Sequence, residues 1–122
     1  MDMLYYIYIG SNRVTIGHLS KIAGGMFMAV SSCNKAAKVI DGIRERYNTS
    51  ILYEESTPQK DSQDITFLHK RFPRVYIILI TEGLQKEHRK LYLQAGVNNT
   101  LSPMASEESL QQMTKFLRLR KE

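Results

Sequence analysis

Apolar residues run from Leu4 to Ile9 in a block of strand length, then recur at helical spacing at Ile16, Leu19, Ile22 and Ala23. The pattern repeats. Met26 to Val30 is a second short run, entered through Gly24-Gly25, and Ala36, Ala37, Ile40, Ile43 and Tyr47 form a second helical stripe. Ile51 to Tyr53 reads as a third strand, followed by a helix marked by Ile65, Leu68 and Phe72 and stopped by Pro73. Val75 to Ile80 is the fourth and most hydrophobic strand. Leu84, Leu91, Tyr92 and Ala95 mark a fourth helix that ends at Gly96. Val97 to Leu101 is a weak fifth strand. Ser106 is the expected N-cap of a last helix, with Glu107 and Glu108 in its first turn and Leu110, Met113, Phe116 and Leu117 as its apolar stripe. Strands alternating with helices predict an α/β fold with a parallel sheet covered on both faces. Right-handed crossovers at this length point to a five-stranded doubly wound sheet of order 2-1-3-4-5.

The 122 residues suit one domain spanning 1–122, with no linker, repeat or low-complexity segment. The charged helical pattern at the C-terminus lacks a stop signal, so the chain is expected to be the N-terminal part of a longer protein. With 43% hydrophobic and 24% charged residues, collagen-like, disulfide-rich and disordered classes are excluded. No apolar run reaches membrane-spanning length, and no secretory signal is visible. The single cysteine, Cys33, cannot form an internal disulfide, so a cytoplasmic location is expected.

The net charge of +5 is uneven. Residues 1–61 hold 7 Lys and Arg against 6 Asp and Glu, and residues 62–122 hold 10 against 6. Lys115, Arg118, Arg120 and Lys121 cluster at the C-terminus. A solvated helix end is the preferred reading, because no aromatic or Gly-rich pattern accompanies the charge. Direct nucleic-acid binding is therefore not expected. The basic segment also suits approach to an anionic membrane.

In an open parallel sheet, ligands bind at the C-terminal strand ends. These carry Gly10-Ser11-Asn12, Glu54-Glu55-Ser56, Thr81-Glu82-Gly83 and Ser102-Pro103. No nucleophile–base pair and no Gly-rich cofactor loop is present. His18, His69 and His88 are read as helix-surface residues without ligand spacing. No cofactor, metal or enzymatic activity is therefore expected of this domain. Cys33 reads as a partly buried structural cysteine.

From Val75 to Leu117 the chain reads I-I-L-I-T-E, then L-Q-A-G-V-N-N-T-L-S-P-M, then S-E-E-S-L. This resembles the receiver domains of bacterial two-component response regulators, the CheY-like family, and the likeness extends over nearly the whole chain. Pro58 and Asp61 sit at the offsets that follow the family's phosphoacceptor, which places that position at Glu54. The resemblance implies the flavodoxin-like (βα)5 receiver fold and a role in signalling.

The chain departs from the family where the chemistry lies. The acidic pair that helps hold Mg²⁺ is replaced from Gly10-Ser11-Asn12, and the acceptor Asp by Glu54. The extra methylene moves the carboxylate by about 1.5 Å, enough to spoil an in-line attack. Ser102 stands where the family has Lys before Pro103, the spacing from Ala-Gly to that proline is one residue short, and the switch aromatic falls on Thr100. Thr81 alone is retained. Ser11, Asn12, Thr81 and Ser102 are thus read as a vestigial site.

Glu54 has two readings: a permanent phosphate mimic acting through Thr81, or an exposed glutamate at a strand end, which is preferred. Glu55 is read as solvated on the other side of the strand. The family's partner face, built from the fourth helix, fifth strand and fifth helix, would present Lys86, Arg89, Lys90, Gln111 and Lys115. The expected function is a non-catalytic pseudo-receiver, a regulatory or protein-interaction module controlling an attached effector. Two alternatives stay open: an atypical phosphorylatable receiver, and the N-terminal domain of a membrane sugar transferase of polysaccharide synthesis.

Overall fold

The computed structural model describes residues 3–44, 46–115 and 117. The chain alternates β1 (Tyr5–Ile9), α1 (Arg13–Ile22), β2 (Met26–Val30), α2 (Cys33–Asp41), β3 (Thr49–Glu54), α3 (Pro58–Arg71), β4 (Tyr76–Ile80), α4 (Lys86–Ala95), β5 (Asn99–Leu101) and α5 (Glu107–Thr114), with a 3-10 turn at Arg46–Asn48 before β3. All strands are parallel, in the order β2-β1-β3-β4-β5.

Alternation along the strands divides the core into two layers. Ile7, Ile9, Ile51, Tyr53, Ile77 and Leu79 face Ala36, Ala37 and Ile40 of α2, Ile65 and Leu68 of α3, and Tyr92 and Ala95 of α4. Tyr6, Tyr8, Leu52, Ile78, Ile80 and Leu101 face Leu19 and Ala23 beside α1, and Leu110 and Leu117 in the α5 segment. The central strands β3 and β4 are apolar on both faces because helices cover both. Edge strand β2 keeps Met26 and Met28 exposed.

Local signals fix the boundaries. Asn12 caps α1 by accepting from the Val14 and Thr15 amides, Ser32 caps α2, and Ser106 caps α5 through Ser109 N. Pro58 opens α3 at a position that needs no amide donor. Gly96 ends α4 at φ 126°, and a Cβ there would meet His69 Cγ at 2.7 Å.

β1 and β4 each begin one residue later than the sequence reading, and two strands differ by more. β3 begins at Thr49 rather than Ile51, because Thr49 and Ser50 are fully buried despite their polarity. β5 is shorter than Val97 to Leu101. Asn98 instead accepts from Ile77 N through Oδ1 at 2.8 Å and donates its own amide to Ile77 O at 2.8 Å, prolonging the ladder. Phe116, Arg118, Arg120 and Lys121, the rest of the expected stripe and basic segment, lie outside the described residues.

Candidate functional site

The C-terminal ends of β1, β3 and β4 enclose a cleft of about 390 Å³, lined among others by Tyr8, Asn12, Glu54, Glu55, Thr81 and Pro103. On its β1 side, Glu54 is seated as an internal anion. Its Oε1 accepts from the Tyr8 hydroxyl at 2.7 Å and from Asn12 N at 2.9 Å, and its Oε2 accepts from Ser11 N at 3.3 Å. A Cβ at Gly10 would lie 2.6 Å from Glu54 Cδ and Oε1, so the seat requires glycine there. Tyr8 is fully buried. Burial first, then the facing Glu54 carboxylate, holds its phenol well above the ordinary tyrosine range, so it serves as a donor.

On the β4 side, Glu55 takes the Thr81 hydroxyl. Thr81 Oγ1 donates to Glu55 Oε1 at 2.6 Å, while Gly83 N donates to Thr81 Oγ1 at 3.2 Å. The two adjacent glutamates thus diverge, one to β1 and one to β4. Glu54 and Glu55 are both half-buried.

Behind the cleft, Asp61 in the first turns of α3 is completely buried. Its Oδ1 accepts from Tyr53 OH at 3.2 Å and Ser56 Oγ at 2.7 Å, and its Oδ2 from Ser56 N at 2.8 Å and Tyr92 OH at 2.9 Å. Four donors compensate the buried carboxylate. They also tie the β3–α3 loop to α3 and α4. The single Tyr53 proton is shared with Asp64, whose Oδ2 is the nearer acceptor at 2.7 Å. Desolvation leads in raising the phenols of Tyr53 and Tyr92, and the facing carboxylates add to it.

Among the described residues, the cleft is lined by Glu54, Glu55 and Glu82 but by no Lys or Arg. It therefore holds no cation to neutralise a transferring phosphoryl group. The Mg²⁺ implied by the receiver resemblance does not fit either. Glu54 is spent on three protein donors and Glu55 on Thr81, and the β1 loop adds no carboxylate. Among the described residues, no group of three or more His, Cys, Asp or Glu is arranged to hold a metal ion.

Several sequence expectations change. Glu54 is half-buried rather than exposed, and the Thr81 hydroxyl bonds Glu55 rather than Glu54. Glu55 is not solvated on the far side but is the Thr81 partner. Ser11 and Asn12 contribute main-chain amides rather than side-chain ligands. Ser102 is exposed, and its Oγ accepts from Met104 N at 3.2 Å, outside the cleft. His18 and His69 are not free helix-surface groups. His18 Nε2 lies 2.6 Å from Ala105 O, and His69 packs against Gly96 between α3 and α4. Cys33 is half-buried, with Sγ 3.7 Å from Asp64 O; burial, aided by the Asp64 charge, pushes its thiol up to about 11.

The expected partner face divides. Lys86, Arg89 and Lys90 are exposed on α4, and Arg89 lines a groove with Leu93 and Thr100 of β5. Gln111 and Lys115 instead line a cleft with Ala23 and Gly24, on the opposite flank of α5. Sequence reading also missed Tyr8, and it placed Gly10 at the strand end without its role in the seat. Strand register was the available signal: Tyr8 pairs with Leu52, so it shares a face with Glu54, two residues further along β3.

No protein-family model matches the chain, and no curated protein matches it. Solved structures do match. A response regulator from Thermotoga maritima superposes with a TM-score of 0.83 at 10% identity, over 98% of this chain and 100% of that one. A CheY-like protein (tadZ) from Pseudomonas aeruginosa gives 0.79 at 12% identity, over 100% and 98%. The signal receiver domain of an HD domain-containing protein from Pseudomonas fluorescens gives 0.78 at 13%, over 96% and 88%. The chain has the receiver fold. No helix among the described residues is long and apolar enough to cross a membrane.

Proposed function

We propose that this domain is a non-catalytic receiver-fold module of bacterial signalling, working in the cytoplasm by contact with a protein partner or an effector attached in the same chain. The observation that carries this reading is the Glu54 seat. The carboxylate at the phosphoacceptor position is already bound by Tyr8 OH, Asn12 N and Ser11 N. Attack on phosphorus would require breaking those bonds in a cleft that, among the described residues, supplies no compensating cation.

The contact surface on this reading is the α4–β5 side. Lys86, Arg89 and Lys90 supply positive charge there, and Leu93, at 59% exposure, supplies an apolar anchor. Thr100 leaves this groove without the aromatic that the family places on the strand.

The test is incubation with a small-molecule phosphodonor and Mg²⁺, followed by intact-mass measurement, with beryllofluoride titration observed by amide NMR alongside. The expected result is no adduct and no Mg²⁺-dependent shift near Glu54 or Thr81. A stoichiometric phosphate adduct would overturn the reading in favour of an atypical phosphorylatable receiver.

A further inference from the structure

At the opposite pole, the N-terminal ends of the strands, two loops distant in sequence meet. The segment after α2 and the segment after α3 enclose a cleft of about 470 Å³, lined by Arg44, Arg46, Arg74 and Phe72 and, among the described residues, by one carboxylate, Asp41. That volume lies within the range typical of small-ligand sites.

Asp41 does not neutralise the cleft. Arg71 Nη2 donates to its Oδ2 at 2.6 Å, and Arg46 Nη2 lies 3.9 Å from Oδ1. Arg46 and Arg71 also lie over the Phe72 ring, 5.2 and 5.5 Å from its centroid, so both guanidinium groups are held in place. Arg44 makes no ion pair among the described residues, and both Arg44 and Arg74 are exposed.

Helix polarity accounts for only part of this charge. Arg71 sits in the last turn of α3, where a cation complements the negative helix end. Arg44, Arg46 and Arg74 lie beyond the helices. Guanidinium groups grip phosphate oxygens through paired donors, which a point-like ammonium does not.

We propose that this pole binds a small anion carrying two or more phosphates, either free in solution or as a lipid headgroup. The site is separate from the strand-end cleft, and the proposal does not depend on how that cleft is read.

Calorimetric titration of the full chain with tripolyphosphate and with inorganic phosphate tests it, beside co-sedimentation with phosphatidylcholine vesicles carrying cardiolipin. The double variant Arg44→Gln/Arg74→Gln removes two exposed loop cations. The double variant Arg13→Gln/Lys35→Gln removes the same charge from the first turns of α1 and α2, at the other pole. Tripolyphosphate is expected to bind more tightly than phosphate, to weaken about tenfold or more in the first variant, and to change little in the second. Arginine-dependent binding to vesicles without binding of tripolyphosphate assigns the same chemistry to a lipid headgroup. Absence of both interactions, or equal weakening in the two variants, overturns the proposal.

Discussion

Thr81 donates its hydroxyl to Glu55, at 2.6 Å, and not to Glu54. The same oxygen accepts from Gly83 N at 3.2 Å, and Thr81 N donates to Leu101 O at 3.0 Å. One residue therefore joins the end of β3, the β4–α4 loop and β5. In a receiver fold the strand-4 hydroxyl meets the phosphoryl group. Here a carboxylate of the protein itself accepts it.

Glu55→Ala is expected to release this junction at a cost of about 1–2 kcal/mol, because Thr81 is nearly buried and loses a charged acceptor. Amide shifts should concentrate at 81–83 and the start of α4. Glu54→Ala should leave those amides in place and perturb 10–12 instead. NMR spectra of the two variants check this, and overlapping perturbations would show that the glutamates act as one unit.

Glu54→Asp restores the acceptor type usual in the family but is not expected to restore phosphorylation. The shorter carboxylate lies nearer the usual position, yet Ser102 remains outside the cleft and no cation among the described residues lines it. Intact mass after treatment with a phosphodonor and Mg²⁺ should show no adduct. The same substitution should weaken the Tyr8 and Asn12 contacts and cost about 1–3 kcal/mol in urea denaturation.

The sheet was legible because its apolar blocks are strong. Met26 to Val30 reads as a strand without help, and Gly96 marks a helix end by its chemistry. Thr49 and Ser50 hid the start of β3, since side-chain polarity conceals burial that comes from helices on both faces. The cleft was less legible. Alternation places adjacent residues on opposite faces only while a strand continues, and β3 ends at Glu54. Beyond that point Glu55 is free to turn sideways to Thr81. The Glu54 seat depends on main-chain amides of Ser11 and Asn12, which no side-chain motif advertises. The division of the α4–α5 surface follows from helix phase: Ser109 and Met113 face β5, while Gln111 and Lys115 fall on the other flank.

Asp61→Asn is expected to destabilise the fold by about 3 kcal/mol or more at neutral pH. The carboxylate accepts from the Ser56 amide and from the hydroxyls of Ser56, Tyr53 and Tyr92, and an amide would lose the charge and put hydrogens in place of one accepting oxygen, so the groups on that side must turn or lose their bond. Tyr92→Phe removes only one of those donors and should cost about 1–2 kcal/mol. Chemical denaturation of both variants gives the comparison; a smaller loss for Asp61→Asn than for Tyr92→Phe would contradict this account of the network.

Alkaline pH should unfold the domain steeply, through its buried tyrosines. Tyr8, Tyr53 and Tyr92 all have phenols raised from 10.0, chiefly by burial and then by the carboxylates they face. Below that value both folded and unfolded chains keep the protons, and the shift has no effect on stability. Above it the unfolded chain releases them while the native state retains them, so the unfolded state binds fewer protons and stability falls as pH rises. Each such tyrosine contributes a slope of about 1.4 kcal/mol per pH unit, and three together about 4. Cys33, raised from 9.0 to about 11, acts in the same direction from a lower starting pH. Urea denaturation at steps from about pH 9 to about pH 11.5 measures the slope. Tyr53→Phe should reduce it by roughly a third. A slope unchanged by that substitution would mean that the Tyr53 hydroxyl ionises as readily in the native state as in the unfolded chain.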